Sequence, residues 1–379
     1  MIAFEDARIQ IEEAADYYTF FGPAPGDPAA HVKKVYLSYA RVVHPDLHQA
    51  SPRLTTAETA FKRLGEHYAQ ALEMAAQDAY GQPLVIVEWT HRRASHRVLR
   101  AVSGGDLCAT YLARTKLATD VDEQPSFCKV VKAHADRDLL QTEARVVRQL
   151  RGPGMAAEVH VFYPELLDSF VHREKGKQPR QVNVLVQLEN FYNLAQVRRS
   201  FPKGLEAVHM AWIWRRMLWA LAHAHELGIV HGAILPEHIM ILPEQHGVVI
   251  VDWCYASLKD DAGVFAPVKA IVGAYKDWYP EEVFAKAAPS SATDLTMAAR
   301  CMIQLLGGDP ITGDFPGNSA VPRQFRAFFR GCLSTSRSAR PQNGFQLLVE
   351  FDQLLKHLGQ PYYPRKFRTF TMPSGTVKS

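Results

Sequence analysis

Cysteine is the residue type whose spacing most directly reveals a metal or redox site. The 379-residue chain contains five cysteines, and no two of them form a CxxC pair. An odd, scattered set indicates neither a disulfide framework nor a zinc ribbon. A reducing compartment follows as the expectation, with the cytoplasm as the default location. The five positions are Cys108, Cys128, Cys254, Cys301 and Cys332.

A second group with possible chemistry combines histidine and arginine between positions 91 and 100. A solvated strand edge is the favoured interpretation, and a site for an acidic partner is the second. Three further histidines, at positions 223, 225 and 231, do not have a spacing typical of a metal site. The members of the first group are His91, Arg92, Arg93, His96, Arg97 and Arg100.

The composition limits the classes of protein. An apolar fraction of 47% and a charged fraction of 22% exclude a mostly disordered or collagen-like chain. No apolar run reaches the roughly 18 residues of a membrane helix, and the first residues lack the basic and apolar regions of a signal peptide. The net charge of +4 is dispersed, so neither a membrane partner nor a clear nucleic-acid partner is expected.

The first 82 residues predict helices. A short aromatic helix is expected over 14–20. Apolar side chains three and four apart predict a second helix over 31–43. The segment His44-Pro45-Asp46 ends that helix, because the residue before a proline avoids the helical conformation. Thr55 and Thr56 are expected to cap a third helix, and Gly81-Gln82-Pro83 is a plausible boundary.

After this boundary the pattern changes to strands followed by helices. This order predicts an α+β arrangement, with a sheet-rich lobe before a helical lobe. Long helices are expected over 136–150 and 209–230. Residues from Ser374 onward are expected to be disordered. The predicted strands cover 84–89, 98–102, 110–114, 127–132, 182–188, 239–242 and 248–251.

The N-terminal pattern resembles the J-domain of DnaJ-type co-chaperones. The aromatic segment 16–22, the tripeptide 44–46 and the segment 60–64 occur in the family's order. The resemblance implies a small all-α J-domain, a helical hairpin over 1–82, that binds a DnaK-type chaperone. The partner-binding residues that it implies are His44, Pro45, Asp46, Lys33, Lys34 and Arg41.

The segment departs from that family in charge. Leu37, Ser38 and Val42 stand at helix positions that are usually basic, and Leu47 stands where a lysine is common. Electrostatic docking to a chaperone should therefore be weaker than is typical. A different partner for this domain is the alternative.

Residues from about 84 to 358 are similar to eukaryotic-type protein kinases. Segment 103–113 lies where the phosphate loop belongs, 231–240 overlays the catalytic loop, and 251–254 overlays the D-F-G segment. The resemblance implies a two-lobed α+β protein-kinase-like fold over 84–358, followed by a basic C-terminal tail over 359–379.

The same resemblance implies roles for individual residues. Asp252 and His238 would hold Mg²⁺, and ATP would be the cofactor. An ion pair is predicted between Arg340 and Glu281. The implied cofactor-binding residues are Gly105, Lys129, Glu143, His238 and Asp252, and the implied structural residues are His231, Glu281, Asp294 and Arg340.

Two catalytic groups are missing from the kinase pattern. Ala233 occupies the position of the catalytic base, and Leu235 replaces the loop lysine. Because phosphoryl transfer needs a carboxylate at the attacking hydroxyl, the pattern indicates a pseudokinase. Three hypotheses follow: an adaptor whose pseudokinase domain binds a client or regulatory partner, a slow atypical Ser/Thr kinase or other ATP-dependent phosphotransferase, and a purely structural scaffold.

Overall fold

The computed structural model describes residues 2–14, 16–49, 51–81, 85–102, 105–373 and 376. The chain divides into two compact units, Met1–Leu84 and Val85–Ser379. Among the described residues, no helix combines the length and the apolar character that crossing a membrane requires.

The first unit is helical throughout its regular structure. Asp27 caps α3 by accepting hydrogen bonds from two backbone N–H groups, and Pro28 follows at the first helical position. The helices are α1 (Phe4–Glu13), α2 (Tyr17–Phe21), α3 (Pro28–Val43) and α4 (Leu54–Ala76).

The predicted cap of α4 is wrong. Thr55 and Thr56 lie inside its first turn, and Arg53 stands at the cap position without a side-chain hydrogen bond. The Ser51 hydroxyl accepts from the Arg53 N–H in the preceding turn, so the turn leads directly into the helix.

Helices α3 and α4 form a packed hairpin. Val32 and Val43 on α3 and Leu64 on α4 are fully buried. The rings of Tyr36 and Tyr68 stack across the hairpin with 4.1 Å between their centroids. Burial of these side chains on facing stripes holds the two helices together.

The second unit begins with a six-stranded antiparallel sheet in the order β1-β2-β3-β4-β6-β5. Helix α5 (Arg137–Leu150) lies in the chain between β4 and β5 and presents its apolar face inward. The strands are β1 (Val87–His91), β2 (Ala94–Val102), β3 (Cys108–Leu117), β4 (Gln124–Val131), β5 (Leu166–His172) and β6 (Arg180–Val186).

The sheet is strongly curled. His91 on β1 contacts Asp168 on β5, although these strands are the two edges of the sheet. The curl fully buries His96. The interpretation of this region as a solvated strand edge is therefore wrong for His96, because its side chain points to the concave face.

Sequence and structure differ at the strand ends. The first strand was predicted at 84–89 and begins at Val87. Leu84 and the proposed boundary residues Gln82 and Pro83 lie outside the described residues. β3 and β4 run beyond their predicted ranges because they pair in register over eight residues, and pairing extends strands past their apolar centres.

The rest of the second unit is mainly helical. Its core contains fully buried large side chains, among them Trp214, Trp253, Phe325 and Phe351. The elements are β7 (Tyr192–Asn193), α6 (Leu194–Ser200), α7 (Ala207–Glu226), β8 (Ile229–Val230), β9 (Ile239–Leu242), β10 (Gly247–Ile250), β11 (Ser257–Leu258), α8 (Glu281–Phe284), α9 (Ser291–Leu305), α10 (Arg323–Cys332) and α11 (Gly344–Leu358).

The segment after α11 packs on this core. Met372 is buried, and Phe370 contacts the rings of His209 and Trp212. The basic character of the segment is therefore combined with apolar anchoring. Most of the region from Ser374 that was predicted to be disordered lies outside the described residues.

Candidate functional site

The loop after β8 is held by a buried aspartate. Asp294 on α9 is fully buried. Its carboxylate accepts hydrogen bonds from the backbone N–H groups of His231 at 2.8 Å and Gly232 at 2.9 Å. His225 Nε2 lies 2.9 Å from the same carboxylate. This contact set fixes the backbone of the loop.

The next two loop residues carry no polar side chain. Gly232 has φ +76°, and a Cβ atom there would lie 2.9 Å from the Tyr255 carbonyl oxygen, so only glycine fits without strain. Ala233 is fully buried, and its N–H donates to His231 Nδ1 at 3.2 Å. A methyl group cannot accept a proton. Leu235 is also buried.

His231 links this loop to the end of β10. Its Nε2 donates to the Val251 carbonyl oxygen at 2.9 Å. Burial lowers the pKa of His231 to about 4, so the ring is neutral. A neutral ring with one donating and one accepting nitrogen matches both contacts. His231 therefore positions the backbone next to Asp252.

Lys129 lies between two carboxylates. Its Nζ donates to Glu143 Oε1 on α5 at 2.6 Å and to Asp252 Oδ1 at 2.5 Å. The Lys129 and Glu143 side chains are almost entirely buried. Burial lowers the pKa of Lys129, but the charges of Asp252 and Glu143 outweigh this effect and hold the pKa well above its ordinary value. The lysine is therefore an ammonium ion.

Asn183 is a member of this site that the sequence reasoning missed. It lies fully buried on β6, and its Nδ2 donates to Glu143 Oε2 at 2.9 Å and to the Leu140 carbonyl at 2.8 Å. The available signal was a polar residue at an inward position between Val182 and Val184, since buried polar groups are usually hydrogen-bonded.

His238 carries a second positive charge into the site. Its Nδ1 lies 2.7 Å from the Ala233 carbonyl oxygen, and its Nε2 lies 3.1 Å from Asp252 Oδ2. Both partners are acceptors, so both ring nitrogens must donate, which requires an imidazolium. Burial lowers the pKa of His238, but Asp252 outweighs this effect and the pKa lies above its ordinary value.

Both oxygens of Asp252 are engaged. Oδ1 accepts from Lys129 and from the Cys254 thiol at 3.1 Å, and Oδ2 faces His238. Burial raises the pKa of Asp252, but Lys129 and His238 outweigh it and hold the pKa well below its ordinary value. Two cations therefore balance the carboxylates of Asp252 and Glu143.

This donor set does not fit Mg²⁺. The ion takes oxygen ligands in near-octahedral geometry, whereas an imidazolium has no free lone pair to offer. The structure brings Asp252 and His238 together, as the sequence comparison implied, but they contact one another as an ion pair. The pair and Lys129 leave the cluster without the excess negative charge that would attract a divalent cation.

Gly105 is the described glycine of the expected phosphate loop. Gly105 lies before β3 and is exposed. Its carbonyl oxygen accepts from Lys132 Nζ at 2.7 Å. Ser103 and Gly104, at the start of the expected phosphate loop, lie outside the described residues. The hydrogen bond to Lys132 does not bring Gly105 to Lys129, Glu143 or Asp252.

The predicted ion pair between Arg340 and Glu281 is wrong. Arg340 Nη2 donates to Glu282 Oε2 at 2.9 Å, and both side chains are buried. Glu281 is exposed. Helix α8 begins at Glu281, and consecutive helical residues point about 100° apart, so only the second glutamate turns inward. Thr293 also donates to Glu282, at 3.0 Å.

In the first unit the tripeptide lies in a short turn between α3 and α4. The ring of His44 packs on Phe61 at 4.7 Å, and its Nδ1 accepts from the Asp46 N–H at 3.2 Å. Pro45 begins the turn. The Asp46 side chain is 73% exposed. His44 is thus held by the helix while Asp46 faces solvent.

The basic residues implied for partner binding are exposed on α3, as are two of the departures from the family pattern. Lys34 and Arg41 are seven residues apart and so share one face. Leu37, also exposed, lies between them on that face. The basic stripe is therefore interrupted by an apolar side chain, while Lys33 lies beside it.

No family model matches the chain. One curated relative is the death-associated protein kinase dapk-1 of Caenorhabditis elegans, with 29% identity over 182 residues. The match covers 47% of this chain and 11% of that protein, so this chain spans only a small part of the relative's length. With the curled sheet followed by helices, the match supports a kinase-like domain.

Proposed function

We propose that the protein is an adaptor. The kinase-like unit binds a client or regulatory protein without efficient phosphotransfer, and the helical unit acts as a J-domain that recruits a DnaK-type chaperone. The observation that carries the first part is the buried methyl group of Ala233, at the position where the kinase pattern has its base.

The chemistry of phosphotransfer supports this proposal. A carboxylate must accept the proton of the attacking hydroxyl, and such assistance contributes about 10²- to 10⁴-fold in rate. The described loop residues from His231 to His238 contain one carboxylate, that of Glu237. It accepts a hydrogen bond from the Tyr275 hydroxyl at 2.6 Å, so it is already engaged.

We propose further that ATP binds here without Mg²⁺. Lys129 and His238 are two cations that meet at Asp252. They would supply, from the protein itself, positive charge of the kind that metal ions contribute beside phosphates in active kinases. Mg²⁺ would have to displace both cations from Asp252 before it could bind.

The J-domain proposal is supported by the geometry of the tripeptide. The exposed carboxylate of Asp46 accepts a hydrogen bond from the Gln49 side chain at 3.3 Å. It can also form a charge-assisted pair with an arginine of the partner. The interrupted basic face of α3 argues for weak, salt-sensitive docking, because surface charges chiefly set the rate of encounter.

The kinase-like unit is tested with γ-labelled ATP and by titration with ATP in the presence and absence of Mg²⁺. We expect no robust label transfer and an ATP affinity that Mg²⁺ does not raise. Robust transfer that is lost in Asp252→Ala would overturn the non-catalytic proposal. A tenfold or greater gain of affinity with Mg²⁺ would overturn the metal-free binding mode.

The J-domain proposal is tested by measuring the ATPase rate of a DnaK-type chaperone from the same cell with the full chain added. We expect stimulation by the wild type and its loss in Asp46→Asn. Asp6→Asn is the matched control, since it removes the same charge from an exposed position on α1. Equal stimulation by both variants, or none by the wild type, would contradict the proposal.

A further inference from the structure

Three potential metal ligands meet on the concave face of the curled sheet. His96 on β2 is fully buried, Asp168 on β5 is 6% exposed, and the His91 side chain on β1 is 30% exposed. One ligand atom from each residue lies within 4.8 Å of the other two. These residues have no part in the function proposed above.

Two imidazoles approach the same carboxylate oxygen. His91 Nε2 lies 2.8 Å and His96 Nε2 lies 3.0 Å from Asp168 Oδ2. The contact of His96 has hydrogen-bond geometry. The contact of His91 does not, and among the described residues this buried nitrogen has no hydrogen-bond partner. The His91 ring is therefore close to the carboxylate but makes no directed hydrogen bond to it.

Outer contacts hold all three side chains in place, and in His91 the Nδ1 atom accepts from the Arg93 N–H at 3.3 Å. His96 Nδ1 lies 3.0 Å from Thr115 Oγ1, which lies 2.7 Å from Ser126 Oγ. Asp168 Oδ1 accepts from the Ser169 N–H at 2.8 Å. When Nδ1 donates to Thr115, Nε2 presents its lone pair toward Asp168, and a cation between them removes the repulsion. Such outer contacts are typical of metal ligands.

We propose that His91, His96 and Asp168 bind a divalent transition-metal ion of the zinc class. Two imidazole nitrogens and one carboxylate oxygen form a donor set that suits Zn²⁺. Ligand atoms of tetrahedral zinc lie about 3.3 Å apart, given bonds of roughly 2.0–2.2 Å. Each imidazole Nε2 therefore needs to move away from Asp168 Oδ2 by no more than about 0.5 Å.

The position of the site gives the ion a structural effect. It would join β1 and β2 to β5 and so fix the two edges of the curled sheet to one another. The partial exposure of His91 gives the ion access and leaves a solvent-facing position for a further ligand.

The test uses the full chain after removal of metals with a chelator. Zn²⁺ is added, metal content is measured after desalting, and unfolding is followed by tryptophan fluorescence. We expect one equivalent of zinc and a melting temperature higher by roughly 5 °C at zinc concentrations of about 100 times Kd. In His91→Gln we expect affinity to fall by at least about tenfold.

His172→Gln is the matched control. His172 lies on β5, four residues after Asp168, and its ring packs on Trp89 outside the three-ligand group. We expect this variant to bind zinc like the wild type. Equal binding by wild type and His91→Gln would overturn the proposal, and so would the absence of binding by the wild type.

A measurement on the wild type alone covers the case in which His91→Gln does not fold. Co²⁺ added to the metal-free protein should give visible ligand-field absorption that Zn²⁺ abolishes and Mg²⁺ leaves unchanged. If no such absorption develops, the three side chains are a hydrogen-bonded group and the metal proposal is wrong.

Discussion

Lys129→Met should destabilise the kinase-like unit strongly. The substitution keeps the length of the side chain but removes the ammonium that contacts both Glu143 and Asp252. Glu143 is fully buried, and among the described residues it would keep only the Asn183 amide as a partner for its charge. Breaking a buried ion pair from one side costs about 3–5 kcal/mol.

The expected loss lies near the lower end of that range. Asn183 still donates to Glu143, and His238 still faces Asp252, so neither carboxylate is left without compensation. A loss of about 3 kcal/mol corresponds to a fall of roughly 6–10 °C in melting temperature for a unit of this size. Replacing both Lys129 and Glu143 by Met should recover most of it, because an apolar pair of similar volume is often neutral in stability.

Tryptophan fluorescence during urea unfolding is the suitable assay. All six tryptophans lie after residue 84, so the signal reports on the kinase-like unit alone. Lys132→Met is the control, since Lys132 is an exposed lysine directly after β4 and its loss should leave stability close to that of the wild type. If Lys129→Met unfolds like Lys132→Met, or if the double variant is no more stable than Lys129→Met, the buried ion pair does not determine the stability of this unit.

The remaining predictions use the same unfolding assay. Glu282→Gln should lower the free energy of unfolding by about 3 kcal/mol, whereas Glu281→Gln should unfold like the wild type. The opposite ranking would contradict the observed pairing. Burial raises the pKa of Glu282, but the Arg340 hydrogen bond outweighs this effect and lowers the pKa. The contribution of Glu282 to the free energy of unfolding is therefore present above the ordinary pKa of a glutamate and is lost as pH falls through the lowered pKa. Glu282→Gln should reduce the dependence of stability on acidic pH, and an unchanged dependence would contradict this assignment. Gly204→Ala should cost about 2–3 kcal/mol, because φ is +98° and a Cβ atom would lie 2.3 Å from the Leu306 carbonyl oxygen; a neutral result would contradict this backbone constraint.

Local sequence signals predicted the ends of elements well where a steric rule applied. The helix predicted over 31–43 ends at Val43, because a proline two residues later excludes helical backbone at His44. Its start was missed by three residues, since Asp27 and Pro28 provide a cap and a first turn that apolar spacing does not reveal.

Contacts that depend on the rotation of a helix about its axis, or on chain segments far apart in sequence, could not be predicted from local patterns. Adjacent Glu281 and Glu282 are equivalent in the sequence, and only the first turn of α8 decides which one faces Arg340. His96 and Asp168 are 72 residues apart. Their contact depends on the curl of the whole sheet, which no local pattern encodes.

The changes at positions 233 and 238 are physically consistent with one another. The site contains the partly buried carboxylate of Asp252, and an uncompensated charge there would be unfavourable. His238 provides the compensation. It donates to Asp252 from one nitrogen and to the Ala233 carbonyl oxygen from the other, so the same ring neutralises the carboxylate and links it to the loop that contains Ala233. The protein's own side chains therefore balance the charges of this cluster.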